Sequence, residues 1–236
     1  EPKSRIEVSR LASPLLQHYI KLTEFLGYAL GPDYEVALHD LTDKDRSIVA
    51  IANNHVSGRE VGAPLTNVAL RILRDKSYEN QDYILHYLGV SSTGKSLRSS
   101  TMFIKEDGKL VGMLCINFDD SRFQAVSDAL LRLCHPDHFV DTNFQVDETV
   151  AERFVPTERF HNSIHGVATE AVLRELDRRS ITADRLNSEE RIQIISALDS
   201  EGIFLLKGAV KDVADALECS QASVYRYLSL IRKEEA

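Results

Sequence analysis

The chain contains no tryptophan, two methionines and three cysteines in 236 residues. Cys115, Cys134 and Cys219 are odd in number and far apart, so no disulfide framework is expected, which fits a reducing compartment. No apolar run approaches the roughly 20 residues that span a bilayer. No signal-peptide pattern is read at the start of the given sequence. The expectation is a cytoplasmic protein with no membrane contact. Basic residues are scarce: 28 Lys and Arg stand against 36 Asp and Glu, a net charge of −8. That excludes a nucleic-acid binder that works through an overall basic surface, and leaves room for one with a local basic edge. Repeats and low-complexity tracts are missing. The hydrophobic fraction of 43% is enough for a packed core in one or two domains.

Periodicity divides the chain in two. Residues from about Ser13 to Leu30 read as an amphipathic helix with Pro14 in its first turn. Two strand-like runs follow, Tyr34 to Leu41 and Ser47 to Asn53, joined by the polar Thr42 to Arg46. A short helix is expected near Leu65 to Leu73. Three more strands are expected at Tyr83 to Val90, Ser99 to Ile104 and Leu110 to Phe118, the last two joined by a tight turn at Asp107-Gly108. A helix from Asp120 to Leu133 closes this part. The order predicts an α+β domain, an antiparallel sheet with helices on one side, over residues 13–133. Residues 134–166 are mixed and polar and read as a linker. From 167 onward only helices are expected, over 167–177, 188–198 and in the last stretch.

That last stretch, VKDVADALECSQASVYRYLSLIR from Val210 to Arg232, has the spacing of a helix-turn-helix. Val213, Ala214 and Leu217 form one apolar face. A break follows at Glu218-Cys219-Ser220. Val224, Leu228 and Ile231 form the apolar side of a second helix. Ala214 sits where the two helices cross, and Ser220 is a good N-cap. The turn position often held by glycine is Glu218 here. The second helix would show Gln221, Ala222, Ser223 and Arg226. Gln pairs with adenine and Arg with guanine in a major groove, and a helix N-terminus favours phosphate. Between Cys219 and Lys233 there is no acidic residue, with Lys207 and Lys211 just upstream. Modest affinity per subunit, raised by dimerisation over two half-sites, is expected. A small helical packing module without DNA is the alternative on these residues alone.

Two motifs suggest other chemistry. Gly89-Val90-Ser91-Ser92-Thr93-Gly94-Lys95-Ser96 fits the phosphate-loop pattern and defines the alternative of a nucleotide-binding protein. Such a loop needs a helix beginning at the Lys. Leu97 to Ile104 reads as a strand, so a hairpin connector is expected. Cys134, His135 and His138, with His161 and His165, have spacings that suit a metal, and His161 and His165 would share a helical face. The Glu of a metalloprotease motif is replaced by Asn162, and no carboxylate partner is evident. No metal site is therefore expected, and no grouping supports catalysis. Polar residues at strand ends instead suggest a small-molecule pocket: His39, Asp40, Asn53, Asn54, Arg98, Ser99, Ser100 and Asn117. Arg98 would clamp a carboxylate. Strand-end capping and turn chemistry is the competing reading of each.

The stretches VALHDL, SIVAIANNHVSGREVG, LRSSTMFI and GMLCINFD, with the C-terminal LDSEGIFLLKGAVKDVADALECSQASVYRYL, resemble the YheO-like PAS-domain regulators of bacteria. The resemblance covers most of the chain in the same order. It implies a PAS-like sensor domain ahead of a DNA-binding helix-turn-helix domain, and a homodimer; the helix-turn-helix domain is expected at 167–236, and with no catalytic grouping in the chain an enzyme is not expected. It names neither cofactor nor effector. Operator contacts are expected from Gln221, Ser223 and Arg226 to bases, and from Ser220, Lys211 and Arg232 to phosphate.

Overall fold

Ser13 and Pro14 start the first helix as a cap and a first-turn proline should: the Ser13 hydroxyl accepts the Leu15 N–H at 3.1 Å. The computed structural model describes residues 13–134 and 157–234. Helix α1 (Pro14–Leu30) buries Leu16, Ile20, Thr23 and Gly27, one narrow seam. A Cβ on Gly27 would stand 2.4 Å from the Ala52 Cβ, so this contact requires glycine. Strands β1 (Tyr34–Asp40) and β2 (Ile48–Ala52) follow, then α2 (Asn67–Asp75). Strands β3 (Tyr83–Val90), β4 (Ser96–Glu106) and β5 (Lys109–Phe118) form the rest of the antiparallel sheet, and α3 (Ser121–Cys134) leaves it. Both Asp107 and Gly108 have positive φ, as the expected tight turn demands.

The sheet order is β2-β1-β5-β4-β3-β6, the last being a short strand, β6 (Glu158–Arg159), from later in the chain. Helices cover both faces, not one as the sequence order suggested. The reason is strand parity. Val36, Leu38, Ile104 and Leu114 share a cluster with Leu16 and Ile20 of α1. The alternate residues Ala37, Phe103, Met113 and Cys115 share the other cluster with Val68, Leu70 and Ile72 of α2. That second cluster continues without a break into the C-terminal helices.

Residues 157–163, expected in the linker, are built into the fold. Strand β6 (Glu158–Arg159) pairs parallel to β3, Gly89 opposite Glu158. Asn67 holds it by donating to the Thr157 carbonyl and accepting the Arg159 N–H, each at 2.9 Å. Only a partner distant in sequence makes this polar dipeptide a strand. Helix α4 (Ile164–Arg179) begins three residues before the expected 167, because Ser163 caps it by accepting the Gly166 N–H. Helix α5 (Ser188–Ser200) opens with a capping box of Asn187 and Glu190. Gly202 then turns the chain at φ 79°, and a Cβ there would meet the Leu70 carbonyl of α2 at 2.8 Å. Helices α6 (Ala209–Ala216) and α7 (Gln221–Glu234) complete the chain.

Candidate nucleic-acid interface and buried polar site

The α6–α7 pair is assembled as its apolar spacing requires. Val213, Ala214, Leu217, Val224, Leu228 and Ile231 are all buried. The turn closes with the Cys219 N–H on the Ala214 carbonyl at 2.9 Å, a bond that satisfies one of the free carbonyls at the end of α6. Arg191 of α5 donates to the Leu217 and Ala183 carbonyls, fastening the turn to the helix beneath it. Ser220 caps α7 by accepting the Ser223 N–H at 3.1 Å. Glu218 occupies the left-handed region at φ 51°. Glu218→Gly should relieve that strain, and a gain of about 1 kcal/mol is expected. Equal melting temperatures of variant and parent would show that Glu218 is compensated elsewhere.

Gln221, Ala222 and Arg226 are exposed on α7 and Ser223 is half-buried. Tyr225, 60% exposed, stands on the same face one turn from Ala222 and was not singled out from the sequence. Its exposure follows from the buried Val224 and Leu228 on the opposite side. The Arg226 guanidinium lies over the Tyr227 ring at 5.0 Å, which holds it in place by a cation–π contact. Lys211 is exposed on α6. Tyr225, Ser229 and Lys233 of α7 face Lys207 and Gly208 across a surface hollow of about 600 Å³. Arg232 is engaged: it donates to Asp199 of α5 at 2.8 Å, an ionic contact that competes with phosphate.

A second polar site lies inside the sheet domain. Register sets Glu35 of β1 opposite Asn117 of β5, and Asn117 opposite Ser99 of β4. The three form a row on the face turned away from α1. Asn117 donates to Glu35 Oε1 at 2.8 Å, and the Ser57 hydroxyl donates to Oε2 at 2.6 Å. Thr66, the N-cap of α2, donates to Glu158 Oε1 at 2.6 Å. The buried Arg59 donates to the Pro64 carbonyl and lies over the Phe160 ring. Tyr87, Thr101 and Cys115 extend the row as a chain of hydrogen bonds at 2.8 and 3.1 Å.

Burial governs the electrostatics. It raises both carboxyls, Glu35 against the bonds from Ser57 and Asn117, Glu158 against Thr66 and the Arg59 charge. The same burial lowers the Arg59 guanidinium, with Glu158 and Glu35 opposing it. It pushes the Cys115 thiol up to about 12, helped by Glu158, so that thiol is inert. Among the described residues four side-chain atoms are buried and have no hydrogen-bond partner, all of them here: Arg59 Nε, Ser99 Oγ, Asn117 Oδ1 and Glu158 Oε2. Two are donors and two are acceptors, Ser99 counted with the donors, and buried groups of this kind call for a bound partner.

Of the residues expected in a pocket, only Asn117 and Ser99 belong to this site. His39 is on the same face but further along, bonded to Ser47 at 2.9 Å and held neutral by burial and by Arg59. Asp40 accepts from Thr42 at the strand end. Asn53 donates to the Gly27, Gly31 and Tyr34 carbonyls and fixes the end of α1. Asn54 donates to the Arg59 carbonyl. Arg98 and Ser100 flank Ser99 and so point to the opposite face: Arg98 lies over Phe118 and Ser100 accepts the His86 N–H. Side-chain alternation forbids the three from sharing a pocket. Glu35, Ser57, Arg59 and Glu158 went unread; alternation from Asn117 and Ser99 would have pointed to Thr101 and Cys115, but no local signal marks the other four.

The phosphate-loop-like string is a hairpin, as expected, with Ser91–Lys95 between β3 and β4 and Lys95 paired to Asp119 at 2.8 Å. His161 and His165 do not share a helical face, because His161 precedes α4. Each has the carboxylate that sequence reasoning did not find, Glu170 and Asp212 respectively. His135 and His138 lie outside the described residues. Among the described residues no group of three or more His, Cys, Asp or Glu could hold a metal ion, and no helix is long and apolar enough to cross a membrane.

A family profile described as a YheO-like PAS domain matches residues 10–135, just over half of the chain. A second, described as an HTH domain, matches residues 168–229. The chain is 28% identical over 218 residues to the uncharacterized protein YheO of Escherichia coli K12, covering 91% of the chain and 83% of that protein. An uncharacterized Haemophilus influenzae protein is 27% identical over 224 residues, 94% and 93% of the two chains. The transcriptional regulator DauR of Pseudomonas aeruginosa is 28% identical over 221 residues, 93% and 96% of the two.

Proposed function

The chain belongs to the YheO-like PAS-domain family, and on that premise we propose that it is a sequence-specific transcriptional regulator switched by a small molecule in its sheet domain. A DNA-binding regulator, not an enzyme, is what a PAS domain followed by a helix-turn-helix domain makes it. The observation that carries the reading is the α7 surface: Gln221, Ala222, Tyr225 and Arg226 exposed on a helix whose opposite side is locked into the core. In this reading Gln221, Ser223 and Arg226 contact bases. The α7 N-terminus at Ser220, and Lys211, approach phosphate. Arg232 reaches phosphate only by leaving Asp199.

The effector site is the buried row. Its two orphan donors and two orphan acceptors suit a compact polar molecule that offers both acceptors and donors. Asp199 provides a path to the DNA-reading helix: it pairs with Arg74 of α2 at 3.3 Å and with Arg232 of α7 at 2.8 Å. An effector that shifts α2, whose cap Thr66 holds Glu158, biases that shared contact. It changes DNA affinity only by the difference in its own affinity for the two arrangements.

Selection of bound duplexes from random DNA tests the reading, with recovery of a two-fold-related sequence as the expected outcome. On that sequence Arg226→Ala should lose about 1–3 kcal/mol, roughly five- to 150-fold, and should relax preference at one base pair per half-site. Parental affinity and specificity in the variant would remove Arg226 from base reading. A folded protein that enriches no sequence, with or without a small-molecule extract, would overturn the regulator reading.

A further inference from the structure

We infer that residues 157–162 form a lid over the buried row, with Phe160 as its door and Asn67 and Asn162 as its latches. The inference rests on the effector reading above and names the route by which a small molecule reaches that site.

Alternation sorts the side chains of this strap. Glu158 and Phe160 are buried, whereas Arg159 and His161 are partly exposed. The inward pair roofs the row. Glu158 carries one of the four orphan atoms, and Arg59, which carries another, lies over the Phe160 ring at 5.9 Å. A third, Ser99 Oγ, is next to the same ring: a Cβ on Gly89 would stand 2.7 Å from Ser99 Oγ and 2.8 Å from Phe160 Cε2. Phe160 also lines a surface hollow of about 270 Å³, together with Ser91, Ser92 and Gly94. The ring thus stands between that hollow and the polar row.

Polar contacts hold the strap to the sheet domain. Phe160 is the one apolar residue in 157–162, and β6 is two residues long. Asn67 holds the Thr157 carbonyl and the Arg159 N–H, and Thr66 holds Glu158. Asn162, itself exposed, donates to the Gly58 carbonyl at 2.8 Å and accepts the Glu60 N–H at 3.1 Å. It thereby clasps the loop that brings Ser57 and Arg59 to the row. Such bonds exchange for bonds to water at small net cost, so this segment belongs among those that open locally before the core does.

The outward side chains are tied elsewhere. Arg159 and His161 both pair with Glu170 of α4, Arg159 at 2.8 Å. The His161 ring lies against the first turn of that helix, where a Cβ on Gly166 would stand 3.0 Å from Nδ1. The strap therefore stays with α4 and parts from the sheet. Helix α4 opens the helix-turn-helix domain, so a molecule that holds the lid open or shut acts on that domain through its first helix.

The test is access of a compact thiol reagent, methyl methanethiosulfonate, to the thiol introduced by Ser99→Cys in the full chain, read by peptide mass. Labelling should proceed without global unfolding, its rate staying flat in low denaturant, where global unfolding climbs steeply. Asn67→Ala and Asn162→Ala should each raise it about tenfold, since each removes two hydrogen bonds that keep the lid shut. Arg71→Ala, on the exposed side of α2, should leave it unchanged. Hydrogen exchange of the chain without the added thiol gives a second reading should Ser99→Cys fail to fold. There the Arg159 and Phe160 amides should exchange faster than those of β4 and β5, and faster again in Asn162→Ala. Labelling or exchange that occurs only with global unfolding, or that neither latch variant alters, overturns the inference. Failure here is distinct from failure of the effector reading. A lid that opens in a protein that no small molecule stabilises sinks the effector alone. A small molecule that stabilises the protein, while both latch variants leave the row closed to the reagent, sinks the lid alone.

Discussion

Arg59→Met is expected to leave the sheet domain barely stable at neutral pH and to recover part of the loss in mild acid. Arg59 is 2% exposed and is the cation that faces two buried carboxyls, Glu35 and Glu158. Removing one member of a buried charged set strands the others, at a cost of about 3–5 kcal/mol. Domains of this kind have about 5–15 kcal/mol in all. Methionine keeps much of the packing against Phe160, so the loss reports charge. The pH dependence has a definite sign. Both carboxyls have raised pKa values in the fold, so the folded state binds protons more readily than the unfolded chain does. Stability is therefore favoured at low pH and declines as pH rises from the ordinary carboxylate range through the raised values. Without Arg59 those values rise further, and the decline deepens. Denaturant melts of variant and parent at about pH 5 and about pH 7.5 should show the larger deficit at the higher pH. Equal deficits at both would mean that Arg59 acts by packing on Phe160 and not by its charge.

Ala214→Leu should abolish specific DNA binding while leaving the sheet domain folded. Ala214 is 1% exposed at the α6–α7 crossing, and its carbonyl receives the Cys219 N–H that closes the turn. Added methylenes in a packed crossing cost about 1–3 kcal/mol and move backbone. Here the backbone that moves is α7, the helix that presents Gln221 and Arg226. Base contacts depend on bidentate geometry, each worth about 1–3 kcal/mol, so misplacing two of them predicts a loss of about a hundredfold or more. Fluorescence anisotropy on the selected operator measures it, beside circular dichroism for the fold. Parental affinity would show that α7 is not the helix that reads DNA.

The two sites differed in how far they could be read from residues alone. At α7 the apolar positions Val213, Ala214, Leu217, Val224, Leu228 and Ile231, the cap Ser220 and the left-handed turn residue Glu218 were all legible. They depend on neighbours within a turn or two. Tyr225 was not singled out, and its exposure shows only once Val224 and Leu228 are placed on the buried side. In the sheet domain the polar residues named from the sequence lie partly in the buried row, as Asn117 and Ser99 do, and partly elsewhere. Arg98 and Ser100 were grouped with Ser99 although the pleat separates them, and Asn53 serves the end of α1. Arg232 was expected at phosphate and is held by Asp199, a residue 33 positions earlier.

Sequence by itself determined the α+β division, the hairpins, the capped starts of α1 and α5 and the α6–α7 pair, because periodicity, caps and turn chemistry are local. It also determined that the glycine-rich string ends in a strand and not in a helix. Tertiary structure alone decided the buried site. Glu35, Asn117 and Ser99 meet only through the register of three strands, Ser57 and Arg59 arrive on a loop, and Glu158 arrives on a strand that exists because β3 and Asn67 hold it. Register and parallel pairing are set by which apolar faces are buried across the whole fold. No window of the sequence contains that information.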